Sequence, residues 1–244
     1  MFEEEIEIET GDGTCGAVVF APEDEGEFPG VLFYTDIFGI REVKYEMARR
    51  LAGEGYVVLM PNVFYRTRKP PVFDFEPNFG EERTMRRFQE LTEPLTPDAM
   101  ETDASAYVDA LAARDAVADG PMGVVGHCFT GQLALRTAAA RPDRIGAAAS
   151  FHGAGLWKES DDSPHLVLPD VEGRLYFGHA ANDRSMPAEA IEHLEAALDA
   201  WGGEWESEVY DAGHGWTVPD KDVYDQEQAD RAFDKLTTLF DETL

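Results

Sequence analysis

The stretch Gly123-Val124-Val125-Gly126-His127-Cys128-Phe129-Thr130-Gly131-Gln132-Leu133-Ala134-Leu135 constrains this chain more than any other. An apolar strand breaks into a glycine-flanked turn around one cysteine and restarts as an apolar, alanine-rich helix. A side chain held on so sharp a strand-to-helix turn tolerates no bulky neighbour two residues before it or just after it, and the glycines meet that demand. Cys128 then points outward. The first N–H groups of the helix are unpaired and face the same spot, so they favour a thiolate and offer hydrogen bonds to a developing oxyanion. The stretch is read as a candidate site of covalent catalysis.

The rest of the chain repeats the strand-helix alternation. Glu5–Glu9 and Cys15–Phe20 alternate polar and apolar around Gly11-Asp12-Gly13, which predicts an N-terminal antiparallel hairpin. Continuous apolar runs at Gly30–Tyr34, Tyr56–Met60, Met122–Gly126, Ala147–Phe151 and Arg174–Gly178 read as strands buried on both faces, and Glu204–Tyr210 as a further strand. Helical patterns lie at Val43–Glu54, Thr84–Leu91, Asp98–Val117, Phe129–Ala140, Pro187–Trp201 and Gln226–Phe240. The expected fold class is α/β, with a mostly parallel central sheet, helices on both faces and catalytic loops at the carboxyl ends of the strands. Pro61–Pro77, rich in proline and aromatics, is expected to be a long surface loop near the site mouth.

Residues 1–244 are expected to form one domain without a large cap, and 43% hydrophobic content is ample for its core. No apolar run approaches the roughly 20 residues that span a bilayer, and Met1-Phe2-Glu3-Glu4-Glu5 lacks a positive n-region followed by an apolar stretch, so a soluble, cytoplasmic protein is expected. Forty-nine acidic against twenty basic residues give a net charge of −29, which repels phosphate backbones and anionic lipid and argues against nucleic-acid or membrane partners. Only five of the basic residues are lysines, a balance suited to a high-salt cytoplasm, against the alternative of an ordinary acidic surface. Two cysteines, Cys15 and Cys128, fit a reducing compartment better than a disulfide framework, and no metal-binding motif is spelled out.

Two further loops complete a constellation. Gly178–Pro187 follows a strand and carries Asp183; Asp211–Trp216 follows the next strand and carries His214 between two glycines. The order Cys128, Asp183, His214 is the nucleophile, acid, histidine order of a triad on an α/β-hydrolase sheet. In that arrangement His214 takes the thiol proton and Asp183 fixes the ring tautomer. The backbone N–H of Phe129 is the first expected oxyanion donor. Ile37, in the loop after the strand Gly30–Tyr34, is the second.

With these residues the chain resembles the dienelactone hydrolase family, a cysteine-nucleophile branch of the α/β hydrolases. Four stretches carry the resemblance: Asp36-Ile37-Phe38-Gly39-Ile40, Pro61-Asn62-Val63-Phe64-Tyr65-Arg66, Gly126-His127-Cys128-Phe129-Thr130-Gly131, and Asp183 with Gly213-His214-Gly215. Membership implies cleavage of a small ester or lactone substrate through a cysteinyl thioester, with no cofactor; a monomer or small homo-oligomer is expected. It also implies that the carboxylate at Asp36, a glutamate in most members, interacts with the thiol. Two further departures are Thr130, where members typically carry glycine, and the absence of an arginine in Trp216–Pro219 to hold a substrate carboxylate.

Phe38, Phe64, Tyr65 and Trp216 are candidates for an apolar substrate wall, and Arg86 with Arg87 for an anion site, against readings as packing and solvated residues. His152 is the rival base to His214, and Asp170 or Asp211 the rival acids to Asp183. His127, His152 and His179 are expected to line the pocket, His152 as a substrate-binding candidate, and His165 and His193 the surface. A thiol redox sensor and a non-catalytic small-molecule binding module stand as alternatives.

Overall fold

A computed structural model describes residues 1–244. Eight strands form one sheet: β1 (Phe2–Thr10), β2 (Gly13–Ala21), β3 (Gly30–Phe33), β4 (Val57–Pro61), β5 (Met122–His127), β6 (Ile145–Phe151), β7 (Arg174–Ala180) and β8 (Trp205–Tyr210). Their order is β1-β2-β4-β3-β5-β6-β7-β8. β1 and β2 form the expected hairpin, β2 pairs antiparallel with β4, and every later pairing is parallel.

Six helices cover the sheet: α1 (Glu42–Ala52), α2 (Glu82–Thr92), α3 (Pro97–Ala112), α4 (Gly131–Ala140), α5 (Ala188–Trp201) and α6 (Gln226–Asp241). Side chains alternate across a strand, so each central strand feeds two apolar layers. Leu32, Val124 and Phe177 join Val108, Leu133 and Leu194 of α3, α4 and α5, whereas Val31, Val125 and Tyr176 join Leu51 of α1 and Leu236 of α6. No helix is long and apolar enough to cross a membrane.

Three elements differ from the sequence reading. The third helix was expected to run to Val117 but ends at Ala112, because Ala116 and Ala118 leave the helix to pair with Phe28: the Phe28 amide donates to the Ala116 carbonyl and the Ala118 amide to Phe28, both at 2.9 Å. The helix expected from Phe129 begins at Gly131, after a tight 3-10 turn over Cys128–Thr130. The 62–81 connection lacks regular structure, yet it is anchored rather than superficial, since Val63, Phe64 and Val72 are buried in the core.

Candidate active site

Cys128 stands where β5 turns into α4, with a backbone φ of +58° that only a strongly determined turn imposes on a residue with a side chain. The chain crosses itself there so closely that a Cβ on Gly126 would lie 2.2 Å from the Thr130 carbonyl oxygen, and one on Gly131 2.2 Å from Ser150 Oγ. Glycine at both positions is therefore a steric requirement. Thr130, the departure from the family pattern, has a buried role: its Oγ1 accepts the His127 amide at 3.0 Å and donates to the Thr35 carbonyl. The Cys128 turn is thus tied to the chain leaving β3, two residues before Ile37. The Ile37 amide has no acceptor within the protein, as an oxyanion donor requires.

The β7 and β8 loops bring the other two residues to the same rim. Asp183 Oδ1 accepts the amide of Ser185 at 2.8 Å and its hydroxyl at 2.6 Å. Asp183 Oδ2 lies 2.6 Å from His214 Nδ1. A carboxylate can only accept here, so Nδ1 carries the hydrogen and Nε2 is left for the thiol. Burial opposes a charged imidazole, but the hydrogen bond to Asp183, the hydrogen bond to Cys128 and the charges of both outweigh it, raising the His214 pKa to about 10. Burial likewise penalises the Asp183 carboxylate, yet His214 and Ser185 hold it below its ordinary value. Asp183 and His214 are in direct contact, and Cys128 is among the groups that raise the His214 pKa. Asp170 and Asp211 are exposed, and the His214 ring nitrogen bonds neither.

His152, the rival base, is buried beneath His214. Its ring meets His214 edge-on at 5.1 Å, its Nε2 lies 2.8 Å from Thr217 Oγ1, and burial together with the neighbouring imidazole keeps it neutral. His127 sits behind the turn against Phe33, pushed down to about 3 by burial. His179 is buried beside Phe177, with neither ring nitrogen partnered. His165 is half-buried rather than superficial, held at 2.7 Å by Ser163; His193 is exposed, as expected, and stacks on Trp157.

Four expectations require correction. Asp36 does not touch the thiol: its Oδ1 and Oδ2 receive Arg41 at 2.7 and 2.9 Å, Lys44 lies at 3.1 Å and the Phe38 amide at 2.9 Å. The shorter side chain is turned wholly into this buried cluster, where Lys44 and Arg41 overcome burial and hold its pKa well below the carboxylate range. Arg86 is exposed and pairs with Glu82 along α2, which leaves it on the solvent side of the helix, while Arg87 bonds the Val72 carbonyl. Tyr65 packs away from the triad, its hydroxyl on Thr10 and Asp103, because the chain after β4 runs back towards the end of β1. Trp216 is fully buried and stacked on Tyr210 at 4.7 Å, so it supports the histidine loop from below and offers no wall. Phe38, next to Ile37, is packed against Phe73, Phe79 and Phe88 with Lys221 3.6 Å over its face.

Sequence reasoning missed Ser185 and Arg41. The Asp-x-Ser spacing at 183–185 is a turn signal that points to Ser185. Arg41 bridges Asp36 to Asp220 of the loop after β8, at 2.6 and 3.0 Å. A contact over 179 positions leaves no local trace.

The model of the dienelactone hydrolase family matches residues 15–244. The carboxymethylenebutenolidase of Pseudomonas sp. (strain P51) is 29% identical over 220 residues, spanning 88% of this chain and 85% of its own length. A protein of Synechocystis sp. (strain ATCC 27184 / PCC 6803 / Kazusa), provisionally named a carboxymethylenebutenolidase, is 27% identical over 226 residues, or 90% of this chain and 88% of the relative. A solved structure from Klebsiella pneumoniae subsp. pneumoniae MGH 78578, provisionally named a dienelactone hydrolase, superposes with a TM-score of 0.86 at 24% identity over 98% of both chains.

Proposed function

This chain belongs to the dienelactone hydrolase family, and from that premise we propose that it hydrolyses a small ester or lactone through a thioester on Cys128. The observation that carries the reading is the 2.6 Å contact from Asp183 Oδ2 to His214 Nδ1, beside a Cys128 held at φ +58° and near enough to help raise the imidazole pKa. All the residues invoked come from loops of one sheet, so residues 1–244 are read as one domain.

In this mechanism His214 takes the Cys128 proton, and the sulfur attacks the acyl carbon. The negative charge that moves to oxygen meets the amides of Phe129 and Ile37. When the tetrahedral species collapses, the C–O bond breaks and His214 returns the proton to the leaving alkoxide, giving an alcohol and a thioester. Acylation also removes the sulfur's contribution to holding the imidazole charged. The neutral ring left behind takes a proton from water, and the resulting hydroxide attacks the thioester. Expelled sulfur and free carboxylic acid complete the cycle without a cofactor. Asp183 fixes the Nδ1–H tautomer throughout.

Cys128→Ala is expected to abolish turnover of a p-nitrophenyl ester while leaving the unfolding transition in place, and mass spectrometry of the wild type is expected to trap an acyl group on Cys128. Undiminished hydrolysis by the variant, with no acylated cysteine, refutes the reading. The same experiment separates it from a binding module, which turns over nothing.

A further inference from the structure

The triad leaves a second cavity unused. It measures about 150 Å3 and lies in the apolar layer between the sheet and helices α1 and α6. Phe33 and Phe151 come from the sheet, Met47 and Leu51 from α1, and Phe233 and Leu236 from α6. None of Cys128, Asp183 and His214 lines it. It reaches solvent at Glu46 and Arg50, where Arg50 lies 3.8 Å over the Phe233 ring and pairs with Asp230 at 3.0 Å. The wall is thus apolar and the rim charged, the pattern of a small-molecule site.

One polar group in the wall has no partner. His127 is 3% exposed and its ring lines the cavity. Its Nδ1 lies 3.2 Å from the Tyr34 carbonyl, which can only accept, so Nδ1 carries the ring hydrogen. Nε2 is therefore the ring's acceptor, and no side chain of the protein donates to it. Burial keeps the ring neutral at physiological pH. Thr217, also in the wall, is already bonded to His152. An acceptor that faces the cavity without a side-chain donor gains a hydrogen bond from a matching ligand.

We propose that this cavity binds a monocyclic aromatic molecule carrying one hydrogen-bond donor, its ring among the phenylalanines and leucines and its donor on His127 Nε2. An apolar cavity of about 150 Å3 holds one benzene ring. The unsatisfied acceptor selects the donor-bearing ring over its apolar isostere, because a ring without a donor leaves Nε2 unpaired.

The test is calorimetric titration of the full chain with phenol and with toluene, which match in size and differ in the donor. Saturable phenol binding, at least tenfold tighter than toluene binding, is expected. Ala232→Leu, which fills the cavity from α6, is expected to weaken phenol at least tenfold while urea unfolding shows it folded. Phenol binding unchanged in that variant places the ligand elsewhere and overturns the proposal. Equal affinity for toluene, or no saturable phenol binding, also overturns it. The wild-type nitrogen spectrum of 15N-histidine protein decides independently of any variant: phenol, not toluene, is expected to move the His127 Nε2 signal, and an unmoved signal refutes the assignment.

Discussion

Replacing Thr130 by valine exchanges one hydroxyl for a methyl of nearly the same size where the nucleophile turn meets the chain before Ile37. The hydroxyl lies against three backbone groups, accepting the His127 amide and offering its one hydrogen to the Thr35 or the His127 carbonyl, and both residues are buried. A buried polar group stripped of its partner costs ~1–3 kcal/mol, so two such groups give a loss of about 3 kcal/mol after some relaxation. At ~2–4 °C per kcal/mol for a chain of this length, Tm falls by roughly 6–12 °C. The same bond holds the Ile37 segment against the turn, and complete loss of one oxyanion donor costs ~100–1,000-fold in kcat. A loosened donor is expected to cost about tenfold in kcat, with KM nearly unchanged. Thr130→Ser keeps the hydroxyl and loses only a methyl, worth ~1 kcal/mol, so it should retain kcat. Urea unfolding by tryptophan fluorescence and steady-state hydrolysis of a p-nitrophenyl ester measure both quantities. A valine variant within ~1 kcal/mol of the wild type, or a serine variant as impaired as the valine, refutes the tether.

Two further substitutions probe the charged parts of the site. Asp183→Asn preserves shape but loses the charge that orients His214, so kcat is expected to fall ~1,000–10,000-fold. Its alkaline limb should also move below the wild type's, which is expected near the His214 value of about 10; an unshifted limb refutes the orienting role. Asp36 has a depressed folded-state pKa, so its contribution is complete above the unfolded value of about 4 and is lost progressively as pH falls below it. Urea midpoints between pH 6 and 3 should therefore fall steeply in the wild type. In Asp36→Asn the slope should flatten on a protein already weakened by ~3–5 kcal/mol, since Arg41 and Lys44 lose their buried partner; an unchanged slope refutes the cluster's role.

The amino-acid order by itself determined whatever depends on neighbours along the chain. Apolar runs and helical periods gave the hairpin, the parallel strands and their connecting helices, because burial on two faces dictates composition residue by residue. Glycines at 126 and 131 announced the sharp turn around Cys128, since no other residue fits the crossing there. Loops after successive strands placed Asp183 and His214 on one rim, because parallel strands deliver their carboxyl ends to the same edge of a sheet. Where a side chain points once it arrives was decided only by tertiary packing. Asp36 turned from the thiol to Arg41 and Lys44, Trp216 turned beneath the histidine loop onto Tyr210, and Tyr65 turned towards Thr10 and Asp103. Each of these depends on a partner from another element, supplied by chain crossing in three dimensions, and local propensity carries no information about it.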